Sequence, residues 1–173
     1  MNKLIIGNII MLIACIIMTI AGLPKKKSTC LVLQNTQIFL ASIGNLFFQS
    51  YPGCIINLLS VIRNILSQKE KLTVPIKIIL SILVVVISLC FNNIGVLVIF
   101  PLTSFISYIF LMNTKNDIVF KLVVISSSVL WLIYDLSLMM YINAFFEVAT
   151  IITNCIGIYR IKKTYEQKNS SKI

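Results

Sequence analysis

The sequence predicts an all-α polytopic membrane protein with seven transmembrane helices in a 3+1+3 parallel-repeat arrangement, and three observations carry that prediction. The chain has 173 residues, is 58% hydrophobic and has a mean hydropathy of +0.99, too little polar surface to cover a water-soluble globule of its size. Its apolar residues fall into seven stretches, roughly 4–22, 29–49, 52–67, 73–91, 93–112, 118–138 and 141–160. Apart from Lys3, its basic residues occur only in every other gap between those stretches. Cytoplasmic flanks hold the Lys/Arg excess, so the alternation predicts an N-terminus outside and a C-terminus inside.

Each span needs about 20 apolar residues to cross a hydrocarbon core of about 30 Å, so the shorter stretches must sit nearly upright or be shielded by neighbours. The first ends before Lys25, Lys26 and Lys27. It also has the outline of a secretory signal, but three lysines directly after it oppose export and the run is long for an h-region, so it is read as a span. The second carries Gln34, Gln37, Ala41 and Asn45 on one face, and Arg63, Lys69, Lys71 and Lys77 surround the junction after the third. Arg63 lies about four residues from the inner end of its span, off the polar stripe, and is expected to snorkel to the cytoplasmic surface. The fourth stretch is almost pure Ile, Leu, Val and Ser, which suits a lipid-facing linker. Pro101 in the fifth removes a backbone donor and is expected to kink or hinge it. The sixth begins between Lys115 and Lys121 and carries Ser127, Trp131 and Asp135 on one face, with Tyr134 beside it. The seventh runs into Arg160 and a polar tail from about Lys162 to Ile173, expected to fray or lie on the membrane surface.

A shift of about 90 residues lays span 1 on span 5, span 2 on span 6 and span 3 on span 7. Tyr51 then meets Tyr141, Lys25 meets Lys115, and Asn57, Ser60 and Asn64 meet Glu147, Thr150 and Asn154. The spacing i, i+3, i+7 puts each trio within roughly 60° on its helix, so each helix carries one polar stripe. Two three-helix units separated by one span share an orientation, which predicts a pseudo-two-fold axis along the membrane normal. The expected organisation is a first bundle over 1–67, a linker helix over 68–92, a second bundle over 93–161 and a cytoplasmic tail over 162–173.

Buried amides and carboxylates are costly in a bilayer, about 2.5–3.5 kcal/mol for an acid at a helix centre, so they normally face protein or water. Glu147 lies about 9 Å below the outer end of its helix, with Asn57 at the equivalent level of the other half. The pair reads either as groups facing each other across a pathway, bonding a hydroxylated or amide-bearing solute, or as structural groups tied to neighbouring helices. Asn64 and Asn154 carry the same two readings, with interhelical bonding the simpler. Asp135, three residues from the end of span 6, is expected to be reached by water or to sit at the mouth of a pathway. Trp131, a turn deeper, is either an interface anchor or a stacking platform for a sugar-like ligand. The candidate solute-binding set is Asn45, Asn57, Ser60, Asn64, Trp131, Asp135, Glu147, Thr150 and Asn154.

The absence of histidine excludes His-based catalysis, His metal ligation and His proton switches. The five cysteines form no CxxC pair and mostly sit in apolar stretches, so no disulfide framework is expected. The net charge of +10 lies in short loops beside apolar spans, where an anionic inner leaflet accounts for it without nucleic acid. No cofactor, metal or catalytic set is predicted, and the expected partners are the bilayer and a small polar solute, with association into a homo-oligomer left open.

The segments QIFLASIGNLFFQSYPGCIINLLSVIRN, Gln37 to Asn64, and ISSSVLWLIYDLSLMMYINAFFEVATIITNCIGIYR, Ile125 to Arg160, resemble the YgjV-type bacterial inner-membrane proteins. The NLxSxxRN end of span 3, the LWLIYD of span 6 and the ExxTxxxN run into GIxR of span 7 carry that resemblance. That family is in turn similar to the SWEET and PQ-loop superfamily, which implies seven spans in a three-plus-one-plus-three order in a bacterial plasma membrane. A SWEET-type pathway would be lined by Asn57 and Asn154 with a Trp nearby. The sequence departs from that pattern in having no Pro-Gln dipeptide, no proline in span 1, and Glu147 where symmetry would place an amide. The leading expectation is a carrier for a small polar solute that works by rocking of two bundles. The alternative is a non-transporting membrane scaffold or partner subunit, and an intramembrane enzyme stands third.

Overall fold

The computed structural model describes residues 3–47, 51–90, 95–137 and 141–170. Among these the chain forms α1 (Lys3–Ile20), α2 (Lys27–Phe47), α3 (Tyr51–Gln68), α4 (Val74–Cys90), α5 (Ile99–Leu111), α6 (Asp117–Ser137) and α7 (Tyr141–Ser170). A 3-10 turn at Gly95–Val98 leads into α5, and no described residue lies in a strand.

Helix ends follow from local chemistry. Pro24 lies between α1 and α2, while Pro52, Pro75 and Pro101 fall in the first turns of α3, α4 and α5. A first turn has no intrahelical acceptor for its N–H groups, so proline removes nothing there. The expected mid-span kink at Pro101 is therefore corrected: α5 starts at Ile99 after the 3-10 turn, and Pro101 helps to begin the helix. Asn116 caps α6, its Oδ1 accepting the N–H groups of Ile118 and Val119 at 2.9 and 3.3 Å. At the end of α3, Lys71 N–H donates to the Leu66 carbonyl and Glu70 N–H to the Ser67 carbonyl, a Schellman closure with Glu70 at φ 55°.

α7 differs from expectation at its far end. The tail continues the helix to Ser170, and the Lys25 ammonium donates to the Thr164 hydroxyl at 2.8 Å. Thirty helical residues reach about 45 Å, well beyond a hydrocarbon core of about 30 Å, so the last turns stand clear of it.

Consecutive helices pack as neighbours through α1, α2 and α3 and again through α5, α6 and α7. α4 packs on both α3 and α5, and α1 packs on α7. α4 buries the stripe Lys77, Leu80, Val84 and Ser88 and leaves Ile78, Ile79, Ile82, Leu83, Val86 and Leu89 outward, as its composition predicts. α1 turns Ile5, Ile9, Leu12, Ile16 and Ile20 outward in the same way. Apolar faces this continuous suit acyl chains. By length and hydropathy, α6 and residues Asn143–Gln167 are long and apolar enough to cross a bilayer alone, while Ile5–Ile20, Cys54–Gln68, Val74–Cys90 and Gly95–Leu111 are shorter apolar helices.

The positively charged connections gather at one end of the bundle. Lys25 reaches Thr164 of α7, Lys27 reaches the carbonyls of Met112 and Thr114 after α5, and Asn113 Nδ2 donates to the Leu72 carbonyl before α4. Four segments that lie far apart in sequence thus share one rim.

Candidate functional site

Two groups of buried polar side chains lie inside the bundle. The first joins α1, α6 and α7. Glu147 is only 9% exposed; Ser128 of α6 is its side-chain hydrogen-bonding neighbour, and its Oε2 is buried without a partner. Asp135 of α6 and Cys15 of α1 lie close enough to interact electrostatically with it. Asp135 itself is 4% exposed, which corrects the expectation of a water-reached helix end. Depth along the helix suggested solvent, but the side chain lies on a buried face of α6. Trp131 is half-buried with its ring edge against Tyr134, centroids 5.5 Å apart. Further along α7, Thr150 donates to the Phe146 carbonyl and Asn154 Nδ2 to the Thr150 carbonyl, so these stripe residues are satisfied within their own helix.

The second group joins α2, α3 and α5, and its central residue is Arg63. Snorkelling to the surface is overturned here: the side chain is 6% exposed, with Cζ 4.9 Å from the Phe105 ring centre and 4.4 Å from that of Tyr108. Its Nε donates to Asn64 Oδ1 at 3.1 Å, while Asn64, fully buried, keeps an Nδ2 without a partner. Tyr108 donates to Gln34 Oε1 of α2 at 2.7 Å, which holds the ring against the guanidinium. Ring contacts of this kind are worth about 0.5–2 kcal/mol, less than the several kcal/mol lost on taking an ion out of water. The cation is only partly compensated by the protein around it.

The remaining candidates are placed plainly. Ser60 is buried and Asn57 half-buried on α3, whose main packing partners are α2 and α4; α7 packs mainly on α6 and α1. Glu147 is brought together with Asp135 and Ser128, and Asn64 with Arg63. The Asn45 side chain lies outside the described residues. Arg63 is the residue that sequence reasoning missed. The available signal was the aromatic pair Phe105 and Tyr108, spaced i, i+3 on one face of α5, but nothing in the sequence showed that α5 lies against α3.

Lysines close the rim where the two groups of helices meet. Lys121, 1% exposed, donates to the Gly22 carbonyl just past α1 at 2.7 Å, and its ammonium is 3.7 Å from Cys30 Sγ. Lys27 donates to the Met112 carbonyl just past α5, and its backbone N–H to Asp117 Oδ1 at 2.9 Å. Lys77 donates to the Phe110 carbonyl. Each ammonium meets the negative end of a helix dipole, where the last carbonyls lack intrahelical donors. Gly22 and Met112 are equivalent under the shift of about 90 residues, so the rim has matching clasps from one half to the other. Beside them, Lys25, Lys26, Asp117, Ile161, Thr164 and Tyr165 line a depression of about 210 Å³. Among the described residues no group of three or more His, Cys, Asp or Glu is placed to hold a metal ion.

An all-helical bundle with continuous apolar outer faces fits a membrane protein. A family model described as bacterial inner membrane protein, Imp-YgjV, matches residues 5–165, and the chain belongs to that family. No curated protein and no solved structure matches the chain.

Proposed function

We propose that the chain is a multi-pass, SWEET-like carrier for a small polar solute, with seven spans, the N-terminus outside and the C-terminus in the cytoplasm. In this reading the units α1–α3 and α5–α7 rock against each other, joined by α4. The observation that carries it is that two of the four buried, unpartnered polar atoms among the described residues stand on the stripes, Asn64 Nδ2 on α3 and Glu147 Oε2 on α7, one in each half. Orphaned polar groups cost about 1–3 kcal/mol each, and a chain that only needed to pack would replace them with apolar side chains. A solute supplying the missing partners gives them a use. The matching order of packing in the two halves and the lysine clasps between them support two bodies that can separate at one end.

The test is solute and proton flux in proteoliposomes holding the full chain, with Glu147→Gln beside the wild type. Flux that falls at least about tenfold in the variant is expected, an effect of about 1.4 kcal/mol. No flux of any solute, together with no effect of the substitution, would remove the carrier reading. The second reading is a non-transporting scaffold, favoured by polar side chains that tie helix to helix, Ser104 to Ser127 at 2.6 Å and Tyr108 to Gln34. That scaffold would have no flux and would stay unaffected by Glu147→Gln except in stability.

A further inference from the structure

Among the described residues, the buried guanidinium of Arg63 has no counter-charge. The chain contains five acidic residues, and each is placed elsewhere. Asp117 accepts from Lys27 N–H at the rim, Asp135 and Glu147 lie together between α6 and α7, Glu70 is exposed in the turn after α3, and Glu166 is on the exposed end of α7. Among neutral acceptors, Gln34 Oε1 takes the Tyr108 hydroxyl and Asn113 Oδ1 the Ser67 hydroxyl at 3.5 Å, while Asn35 Oδ1 on α2 is buried without a partner; none of them carries a charge to set against the guanidinium.

We propose that Arg63 and Asn64 form a binding site for a small monoanion bearing a carboxylate, which makes that the solute class of the proposed carrier. Transport of it rests on the carrier reading; binding does not. Arg63 Nε needs an acceptor, which fixes Asn64 with Oδ1 toward it and turns Nδ2, a donor without a partner, away. The Phe105 and Tyr108 rings take the flat surface of the guanidinium, so its remaining hydrogen bonds run from its rim. The rim of the guanidinium and the Asn64 amide each present donors that need acceptor oxygens, and a carboxylate carries two. One positive charge neutralises one negative charge, which selects a carboxylate over a phosphate dianion.

The experiment measures the thermal unfolding midpoint of the full chain in detergent, in series of sodium acetate and sodium benzoate against sodium chloride at equal ionic strength. A saturable rise with the carboxylates beyond that with chloride is expected. Arg63→Lys keeps the charge but loses the fork, and is expected to raise the apparent dissociation constant by about tenfold. Asn64→Asp installs an internal carboxylate against Arg63. It is expected to raise the midpoint without ligand and to abolish the response to acetate and benzoate. A chloride series that equals the carboxylate series, or a carboxylate response that survives intact in Asn64→Asp, overturns the site. Carboxylate binding without carboxylate flux in proteoliposomes removes the carrier reading and leaves the site standing. Flux of a neutral solute with no carboxylate response removes the site and leaves the carrier.

Discussion

At Gly157, α7 passes close against the segment that ends α1. A Cβ at this position would lie 2.5 Å from the Gly22 carbonyl oxygen and 2.7 Å from Lys121 Cε. One of those neighbours is backbone, and the other is held by its bond to that same carbonyl, so neither yields cheaply. Gly157→Ala is expected to cost about 1–3 kcal/mol by overpacking, read as a lower unfolding midpoint in detergent. A midpoint equal to that of the wild type would mean that the seam opens more easily than its geometry implies. The same scale separates what was legible in sequence from what was not. Glu147, Asn64 and Asn154 stood out because polar groups in apolar stretches are costly, and all three are buried. Arg63 and Asp135 were misjudged because distance from a helix end was used as a proxy for solvent, whereas rotation about the helix axis decided which way they face.

Helix ends set the length and the entry angle of each element, and two of them offer clean tests. Asn116 satisfies two otherwise unpaired N–H groups of α6, so Asn116→Ala is expected to lower stability by about 1 kcal/mol. Glu70 holds a left-handed conformation that costs a side-chain-bearing residue roughly 1 kcal/mol and costs glycine almost nothing. Glu70→Gly is therefore expected to raise the unfolding midpoint, since the Schellman bonds need only the backbone. A lower midpoint would mean that the electrostatic attraction of Glu70 to Lys27 outweighs the backbone strain. Element existence was read well from hydropathy: each of the seven predicted stretches overlaps one helix. The boundaries were less legible. The α5 start moved because the 3-10 turn and Pro101 share one apolar run, and the tail was polar enough to look frayed although its helix continues past the hydrophobic part of α7.

At the scale of the whole molecule the question is whether the lysine rim is a fixed cap or a closure. Alternation of charge predicted that the basic segments share one side, and their bonds to one another place them at one end; the clasps themselves were not legible, because a lysine in a flank reads as solvated until a helix end is found beside it. Cys30 provides a native reporter, being 2% exposed and adjacent to the Lys121 ammonium. With Cys15, Cys54, Cys90 and Cys155 replaced by Ser, alkylation of Cys30 by N-ethylmaleimide counts how often the rim opens. A hydrogen bond from a charged donor is worth about 1.5–3 kcal/mol, so Lys121→Met is expected to speed alkylation by about 10- to 100-fold if the clasp holds two moving halves. Loss of the ammonium also removes its support for the reactive thiolate, which acts in the opposite direction, so a faster reaction reports opening and not altered thiol chemistry. A rate that stays unchanged or slower after division by the intrinsic reactivity of the thiol, measured on each unfolded protein and across pH, would identify the rim as a static cap, and the two halves would then have no hinge at this end about which to rock.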